Sequence, residues 1–286
     1  MRGPILLARL LCISGLLITP VLAETPLERG AYLVRTIAAC GNCHTPKNQD
    51  WSEQTGKLLA GGFVIDLPPF TAIAPNITPD KETGIGNWTD QQIVRAIREG
   101  IRPDESVIGP PMPFQFYRSI ADRDAQAIVA YLRSVPAVRN AVGKSVYRLK
   151  LPDGWGNAAS DPDPPPQNDK LVYGAYLAGP LGHCLECHTP MLADGSRDMA
   201  RAGAGGLPVP GPLGDVVPPN LTPDRETGLG DWTDGEIRRA ITQGMARDGR
   251  KLSPPMAFAY YARMTPRDLD AIIAYLRSLK PVRTAR

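Results

Sequence analysis

The chain has 286 residues and a mass of 30.9 kDa, and its 30 prolines and 28 glycines interrupt regular structure often. With 32 Lys and Arg against 29 Asp and Glu it carries a formal charge of +3, too small for a typical nucleic-acid-binding protein. The frequent Pro and Gly also exclude a long coiled coil. Aromatic residues make up only 6% of the chain, so the sequence predicts a core that is short of large apolar groups.

The first 23 residues have the pattern of a secretory signal. Arg2 precedes an apolar stretch, and the small-residue sequence VLA at residues 21–23 is a typical cleavage site. The longest uncharged part, residues 10–23, has 14 residues, fewer than the ~20 that a membrane-spanning helix needs. We therefore expect export to the periplasm. A signal that is retained as a membrane anchor is the alternative.

Most of the remaining chain is a duplication with an offset of 144 residues. Residues 76–90 read NITPDKETGIGNWTD and residues 220–234 read NLTPDRETGLGDWTD, with 11 of these 15 positions identical. Residues 161–166, between the copies, read DPDPPP, which favours an extended, semi-rigid linker. The predicted order is a signal peptide, a first domain, a Pro-rich linker and a second domain, at residues 1–23, 24–139, 140–168 and 169–286.

Each copy carries the signals of three helices, taken here from the first copy. Residues 25–28 read TPLE, a capping box with Pro at the first helical position, and start a helix that leads to Cys40. A second helix starts at Thr89 and stops at Gly100. The third has the apolar stripe of an amphipathic helix, formed by Ala125, Ile128, Val129 and Leu132. No stretch shows a convincing apolar/polar alternation of period 2, so we predict an all-α fold with long Pro/Gly-rich loops. Loops of this length usually surround a bound group.

A Cys-x-x-Cys-His motif occurs once in each copy, as CGNCH at residues 40–44 and CLECH at residues 184–188. Two thiols three residues apart on a helical turn lie on one face. There they can add to both vinyl groups of one haem while the histidine binds the iron, which is the attachment pattern of c-type haem. A zinc site needs four ligands and each motif offers three. We therefore predict two covalently bound haem c groups, held by Cys40, Cys43, His44, Cys184, Cys187 and His188.

The ligand on the other side of each iron is Met, His or an open position. Met112 is the one methionine between Glu24 and Arg139, so a methionine ligand in the first copy must be this residue. The offset maps Met112 onto Met256, although the second copy also contains Met191, Met199, Met245 and Met264. Both follow the motif histidine by 68 residues in Pro-rich segments. We predict that Met112 and Met256 are iron ligands, an arrangement that raises the reduction potential.

The motifs, the two Met segments and the repeated NITPD and TGIGxWT sequences resemble two fused class I cytochrome c domains. More narrowly, they resemble the cytochrome subunits of membrane-bound alcohol, gluconate and sugar dehydrogenases. Those subunits commonly carry three haem domains and pass electrons to quinone, whereas this chain has two motifs. The resemblance implies two tandem domains of three to five helices, each wrapped around one haem.

The resemblance also implies two further pairs of haem-site residues. The carbonyls of Pro75 and Pro219 would accept the ring N–H of the motif histidines and strengthen them as ligands. Trp88 and Trp232 would either donate the indole N–H to a haem propionate or pack as core aromatics.

These features favour an electron carrier over an enzyme, and no catalytic residue is predicted. Two linked haems would relay electrons from a periplasmic dehydrogenase to a cytochrome, an oxidase or quinone, with possible peripheral association with a membrane complex.

A dihaem redox enzyme is the alternative. A peroxidase of that kind needs an open iron, which Met112 and Met256 would fill. A thiosulfate dehydrogenase-like enzyme typically uses a cysteine ligand, and all four cysteines after the signal lie in the motifs.

Overall fold

The computed structural model describes residues 24–161, 163–209 and 214–284, so the predicted signal at residues 1–23 lies outside the described part. The first half contains five helices, which are α1 (Pro26–Arg35), α2 (Gly41–His44), α3 (Asp90–Arg98), α4 (Phe114–Tyr117) and α5 (Asp122–Ser134). The second half contains α6 (Lys170–Tyr176), α7 (Cys184–Cys187), α8 (Asp234–Gln243), α9 (Phe258–Tyr261) and α10 (Pro266–Ser278). None of the helices in these ranges is long and apolar enough to cross a membrane.

The helices begin where the sequence predicts. At the start of α1 the Thr25 hydroxyl accepts a hydrogen bond from the Glu28 backbone N–H at 3.2 Å, and the Glu28 carboxylate accepts one from the Thr25 N–H at 2.9 Å. The same reciprocal capping starts α3 at Thr89 and α8 at Thr233. The predicted apolar stripe of α5 is buried, as is its counterpart on α10.

In each half the first and last helices pack against each other at very close range. α1 packs on α5, and α6 packs on α10. A Cβ atom at Gly30 would lie 1.8 Å from the Ala127 carbonyl oxygen, and one at Gly174 would lie 2.0 Å from the Ala271 oxygen. Glycine is therefore required at both crossings, because any side chain would push the helices apart.

The prediction of an all-α fold needs a correction, because the first half contains a small antiparallel sheet. Strands β1 (Val64–Leu67) and β2 (Phe70–Ile73) pair with Val64 opposite Ile73, and β3 (Val146–Tyr147) joins the other edge of β2. Strands of four and two residues are too short for a period-2 pattern, and a Pro-Pro turn separates the first two. The described chain is nevertheless largely helical.

The hydrophobic core is continuous between the halves. One cluster of buried residues contains Leu33 and Ile128 from the first half together with Leu181 and Ile272 from the second. The predicted linker is also packed rather than free, because β3 belongs to the sheet and the Asp122 N–H donates to the Asp161 carbonyl at 2.8 Å.

Two tyrosine–aspartate contacts join the halves with an approximate two-fold relation. The Tyr32 hydroxyl donates to Asp268 at 2.6 Å, and the Tyr176 hydroxyl donates to Asp124 at 2.8 Å. Each tyrosine oxygen also accepts a backbone N–H of the opposite half at 3.1 Å. Tyr32 and Tyr176 are 144 residues apart, and so are Asp124 and Asp268. The two halves thus present the same surface to each other, as in an isologous dimer.

Candidate haem sites

Each Cys-x-x-Cys-His motif lies in one short helical turn. The His44 N–H donates to the Cys40 carbonyl at 2.9 Å, and the His188 N–H donates to the Cys184 carbonyl at 3.1 Å. The four motif cysteines form no disulfide, and desolvation raises the thiol pKa of Cys40 to about 12 and that of Cys184 to about 11. In the described ranges no group of three or more His, Cys, Asp or Glu side chains is arranged to hold a metal ion.

Both motif histidines are held in one ring orientation. The Nδ1 atom of His44 lies 2.9 Å from the Pro75 carbonyl oxygen, and that of His188 lies 2.8 Å from the Pro219 oxygen. A carbonyl oxygen only accepts, so Nδ1 carries the hydrogen and Nε2 keeps its lone pair for a metal. The histidines are 9% and 7% exposed. Burial lowers the pKa of both rings, and the carbonyl contact opposes this shift, so the imidazoles are neutral at neutral pH.

The repeated NxTPD segment fixes the position of these carbonyls. The side-chain amide of Asn76 donates to the Val138 carbonyl at 2.7 Å, and its oxygen accepts the Thr78 N–H at 2.9 Å. Asn220 makes the same two contacts in the second half, at 2.6 Å and 2.8 Å. The segment that identifies the duplication therefore serves to fix the loop that begins at each histidine-bonded proline.

A glycine brings the chain close to each of these prolines. Gly61 donates its N–H to the His44 carbonyl at 2.8 Å and has a φ of +74°. A Cβ atom there would lie 2.5 Å from the Pro75 carbonyl carbon. Gly205 makes the corresponding bond to His188 at 2.8 Å. Glycine is needed here both for the left-handed backbone and for the close approach.

Met112 and Met256 have matching surroundings. Each carbonyl accepts the N–H of the phenylalanine two residues later at 3.0 Å, and each side chain is partly buried against the core cluster that Cys40 and Cys184 also contact. Three of the four other candidates in the second half are less suitable, because Met191 and Met199 are 47% and 54% exposed and Met264 lies inside the core.

Trp88 and Trp232 also pack against the core cluster. Their backbone carbonyls accept hydrogen bonds from Arg133 and Arg277, which bind Asp90 and Asp234 at the starts of α3 and α8. These contacts describe a packing role for both tryptophans, and the contact with a haem propionate stays a prediction.

Contacts between the halves reach the candidate sites, and sequence reasoning missed them. The Asn42 side chain, inside the first motif, donates to the Pro255 carbonyl at 3.1 Å, directly before Met256. The Tyr260 hydroxyl donates to Glu53, which also binds Lys47 at 3.0 Å. No local pattern signals a partner more than 200 residues away, although the duplication does break at position 42, where the second copy has Glu186.

The donor set of each half fits a c-type haem. Two thiols, a neutral imidazole with a free Nε2 and a thioether are the groups that such a haem uses. When bound, the haem would supply one reversible electron per iron. The fold and these sites define a largely helical protein of the c-type haem class.

Comparisons with known proteins agree with this class. Residues 173–280 match the family model described as Cytochrome c. The chain is 31% identical to a "Diheme cytochrome c-type" protein of Cereibacter sphaeroides, over 85% of this chain and 82% of that protein. It therefore belongs to the cytochrome c family, in which haem c is bound covalently.

Longer relatives are subunits of dehydrogenases. The chain is 32% identical to the fructose dehydrogenase cytochrome subunit of Gluconobacter japonicus, over 91% of this chain and 54% of that protein. It is 31% identical to the cytochrome c subunit of the alcohol dehydrogenase (quinone) of Gluconobacter oxydans, over 91% of this chain and 56% of that protein. The chain thus spans about half the length of these two relatives.

Proposed function

We propose that the protein is a dihaem cytochrome c that accepts electrons from a dehydrogenase and passes them to a cytochrome, an oxidase or quinone. The supporting observation is the duplicated site, in which His44 and His188 make the same ring contact with a proline carbonyl. The relatives named as cytochrome subunits of fructose and alcohol dehydrogenases support a dehydrogenase as the donor.

In this proposal each half is one class I cytochrome c domain, at residues 24–139 and 169–286. The matched helix pairs α1 with α5 and α6 with α10 support this division, and one buried core cluster contains residues of both halves. The protein is exported to the periplasm by residues 1–23 and associates peripherally with a membrane complex.

The side chains of each half would bind one haem and set its potential. Cys40 and Cys43 hold the first haem, and His44 binds its iron through Nε2. The hydrogen bond from Nδ1 to the Pro75 carbonyl fixes the ring and increases its basicity. Met112 would be the second protein ligand of this iron, and a methionine ligand raises the potential. The matching residues of the second half are Cys184, Cys187, His188, Pro219 and Met256.

The geometry favours a carrier over a dihaem enzyme. The chain has three histidines, and His183 is the one outside the motifs. Its Nδ1 atom lies 3.0 Å from Glu186, and its ring packs edge-on against Tyr117. His183 is therefore engaged elsewhere and offers no second histidine for an iron.

The number of haems and their methionine ligands test this proposal. We expect two haems per chain and a ferric near-infrared charge-transfer band of Met–iron ligation that loses half its intensity in M112A and in M256A. M199L, a change at an exposed methionine, should leave the band unaltered and serves as the control. One haem per chain, or an unchanged band in both alanine variants, would overturn the dihaem Met/His proposal. Peroxide turnover at an ordinary enzymatic rate would overturn the proposal that the protein is an electron carrier.

A further inference from the structure

Residues 146–161, within the predicted linker, form a strap over the segment that carries Met112. The Trp155 indole N–H donates to the Ile108 carbonyl at 2.7 Å, and its ring stacks on Phe114 with 5.8 Å between centroids and an interplanar angle of 24°. A Cβ atom at Gly109 would lie 2.4 Å from the Tyr147 ring. Strap side chains thus contact the chain on both sides of Met112.

The strap is anchored at both ends. Its first residues form β3 of the sheet. Farther along, the Arg118 guanidinium donates to the Asn157 carbonyl at 2.8 Å, and the Ala159 N–H donates to the Arg118 carbonyl at 2.8 Å. Arg98, which is buried, binds the Ala159 carbonyl as well. A segment held in this way can restrain the chain beneath it.

Phe114 and Phe258, two residues after Met112 and Met256, differ in their surroundings. Phe114 is 2% exposed, whereas its counterpart Phe258 is only partly buried. The three atoms nearest to a Cβ at Gly100 belong to Trp155 and Phe114, whereas the three nearest to one at Gly244 all belong to Phe258. Trp155 therefore covers Phe114, two residues after Met112.

We propose that Trp155 is a positioning residue for Met112, and that the strap makes the first iron harder to open to an external ligand. This inference rests on the proposed function, in which Met112 and Met256 are the iron ligands. An external ligand binds only after the methionine segment moves away. Its apparent affinity therefore falls in proportion to the population of the open state. Packing and hydrogen bonds from the strap lower that population for the first iron.

Imidazole titration of the full-length ferric holoprotein tests the proposal. We expect two binding phases, one for each iron. The two irons are assigned from the shifted methionine methyl signals in the NMR spectrum of the reduced protein, one of which disappears in M112A and the other in M256A. In W155A the half-saturating imidazole concentration of the first iron should fall about ten-fold, the effect of losing a stacked ring and a buried hydrogen bond.

Two further variants make the test specific. W155F keeps a stacked ring and loses the indole N–H, so it should shift the first phase less than W155A while folding normally. W51A removes a half-exposed tryptophan of the same half that contacts Phe63, and it should shift neither phase. An unchanged first phase in both Trp155 variants, or equal shifts of both phases, would overturn the role of the strap. If M112A keeps both methyl signals, the ligand assignment itself fails.

Discussion

The two halves of the molecule agree at the histidines and differ in the partner of one buried aspartate. His44 and His188 contact their proline carbonyls at 2.9 Å and 2.8 Å. By contrast, Asp124 binds Arg29 at 2.8 Å and 2.9 Å, whereas the position equivalent to Arg29 is Tyr173. The duplication has kept the geometry that a haem ligand demands, and the halves have diverged where only packing and charge balance constrain them.

The largest expected effect comes from replacing Asp124 and Asp268, the two buried aspartates, one at a time. Asp124 and Asp268 are 2% and 4% exposed, but only Asp124 has an arginine partner among the described residues. D124N leaves the partly buried Arg29 without a counter-charge and should lower the free energy of unfolding by about 4 kcal/mol. D268N can still accept the Tyr32 hydroxyl and should cost about 1 kcal/mol. Denaturant unfolding of both variants measures the difference, and equal losses would contradict the asymmetry.

The crossings of α1 with α5 and of α6 with α10 test a different expectation, that the two halves are equivalent at these positions. Alanine is favoured over glycine in a helix by about 1 kcal/mol. In G30A and G174A the new methyl group would meet a backbone oxygen within 2.0 Å, so the clash should win and each variant should lose about 3 kcal/mol. G235A, at a helical glycine whose Cβ would have one neighbour at 3.9 Å, is the control and should be neutral or stabilising. A large difference between G30A and G174A in thermal unfolding would break the equivalence.

A smaller effect is expected from the tyrosines between the halves. Y32F and Y176F each leave a buried carboxylate and a backbone N–H short of a partner, and each should cost about 1.5 kcal/mol. Because the core is continuous, we expect a single unfolding transition in both variants, followed by far-ultraviolet circular dichroism and haem absorbance. Y131F, at a tyrosine outside these contacts, is the control. Two separate transitions in the wild-type protein would show that the halves are independent.

The smallest expected effect concerns the turns at residues 80–83 and 224–227 and their contribution to stability at acid pH. Hydrogen bonds from the Thr83 hydroxyl and N–H lower the pKa of Asp80, and the Thr227 N–H and hydroxyl do the same for Asp224. A lowered folded-state pKa contributes stability above the unfolded value of 3.8, and that stability is lost as the pH falls through the folded pKa. D80N and D224N should therefore lose stability at about pH 5 and differ little from wild type at about pH 2. Unequal losses in the two variants would show that the turns are not equivalent.

The sequence predicted best what depends on neighbouring residues. The capping boxes at Thr25, Thr89 and Thr233 act over three residues, so the starts of these helices followed directly. The Cys-x-x-Cys-His spacing likewise placed the thiols and histidine on one turn. The haem groups themselves, and Met112 and Met256 as ligands, stay predictions.

The sequence did not predict contacts between residues that are far apart in the chain. Trp155 lies 47 residues from Ile108, and Tyr32 lies 236 residues from Asp268, so neither leaves a periodic pattern. The run of prolines predicted an extended linker between the halves. Composition indicates that a segment is stiff, but it does not indicate the surface on which the segment packs. The sheet was missed because its strands are no longer than four residues.

The exchanged tyrosine–aspartate contacts have a consequence for assembly. Each half offers the other a surface that would also fit a second copy of itself, which is the arrangement of a two-fold dimer. In separate chains such a pairing would weaken on dilution. A covalent connection between the halves makes it intramolecular, with an effective concentration in the millimolar range for a short linker. The pairing of the two halves is therefore independent of how much protein the cell makes.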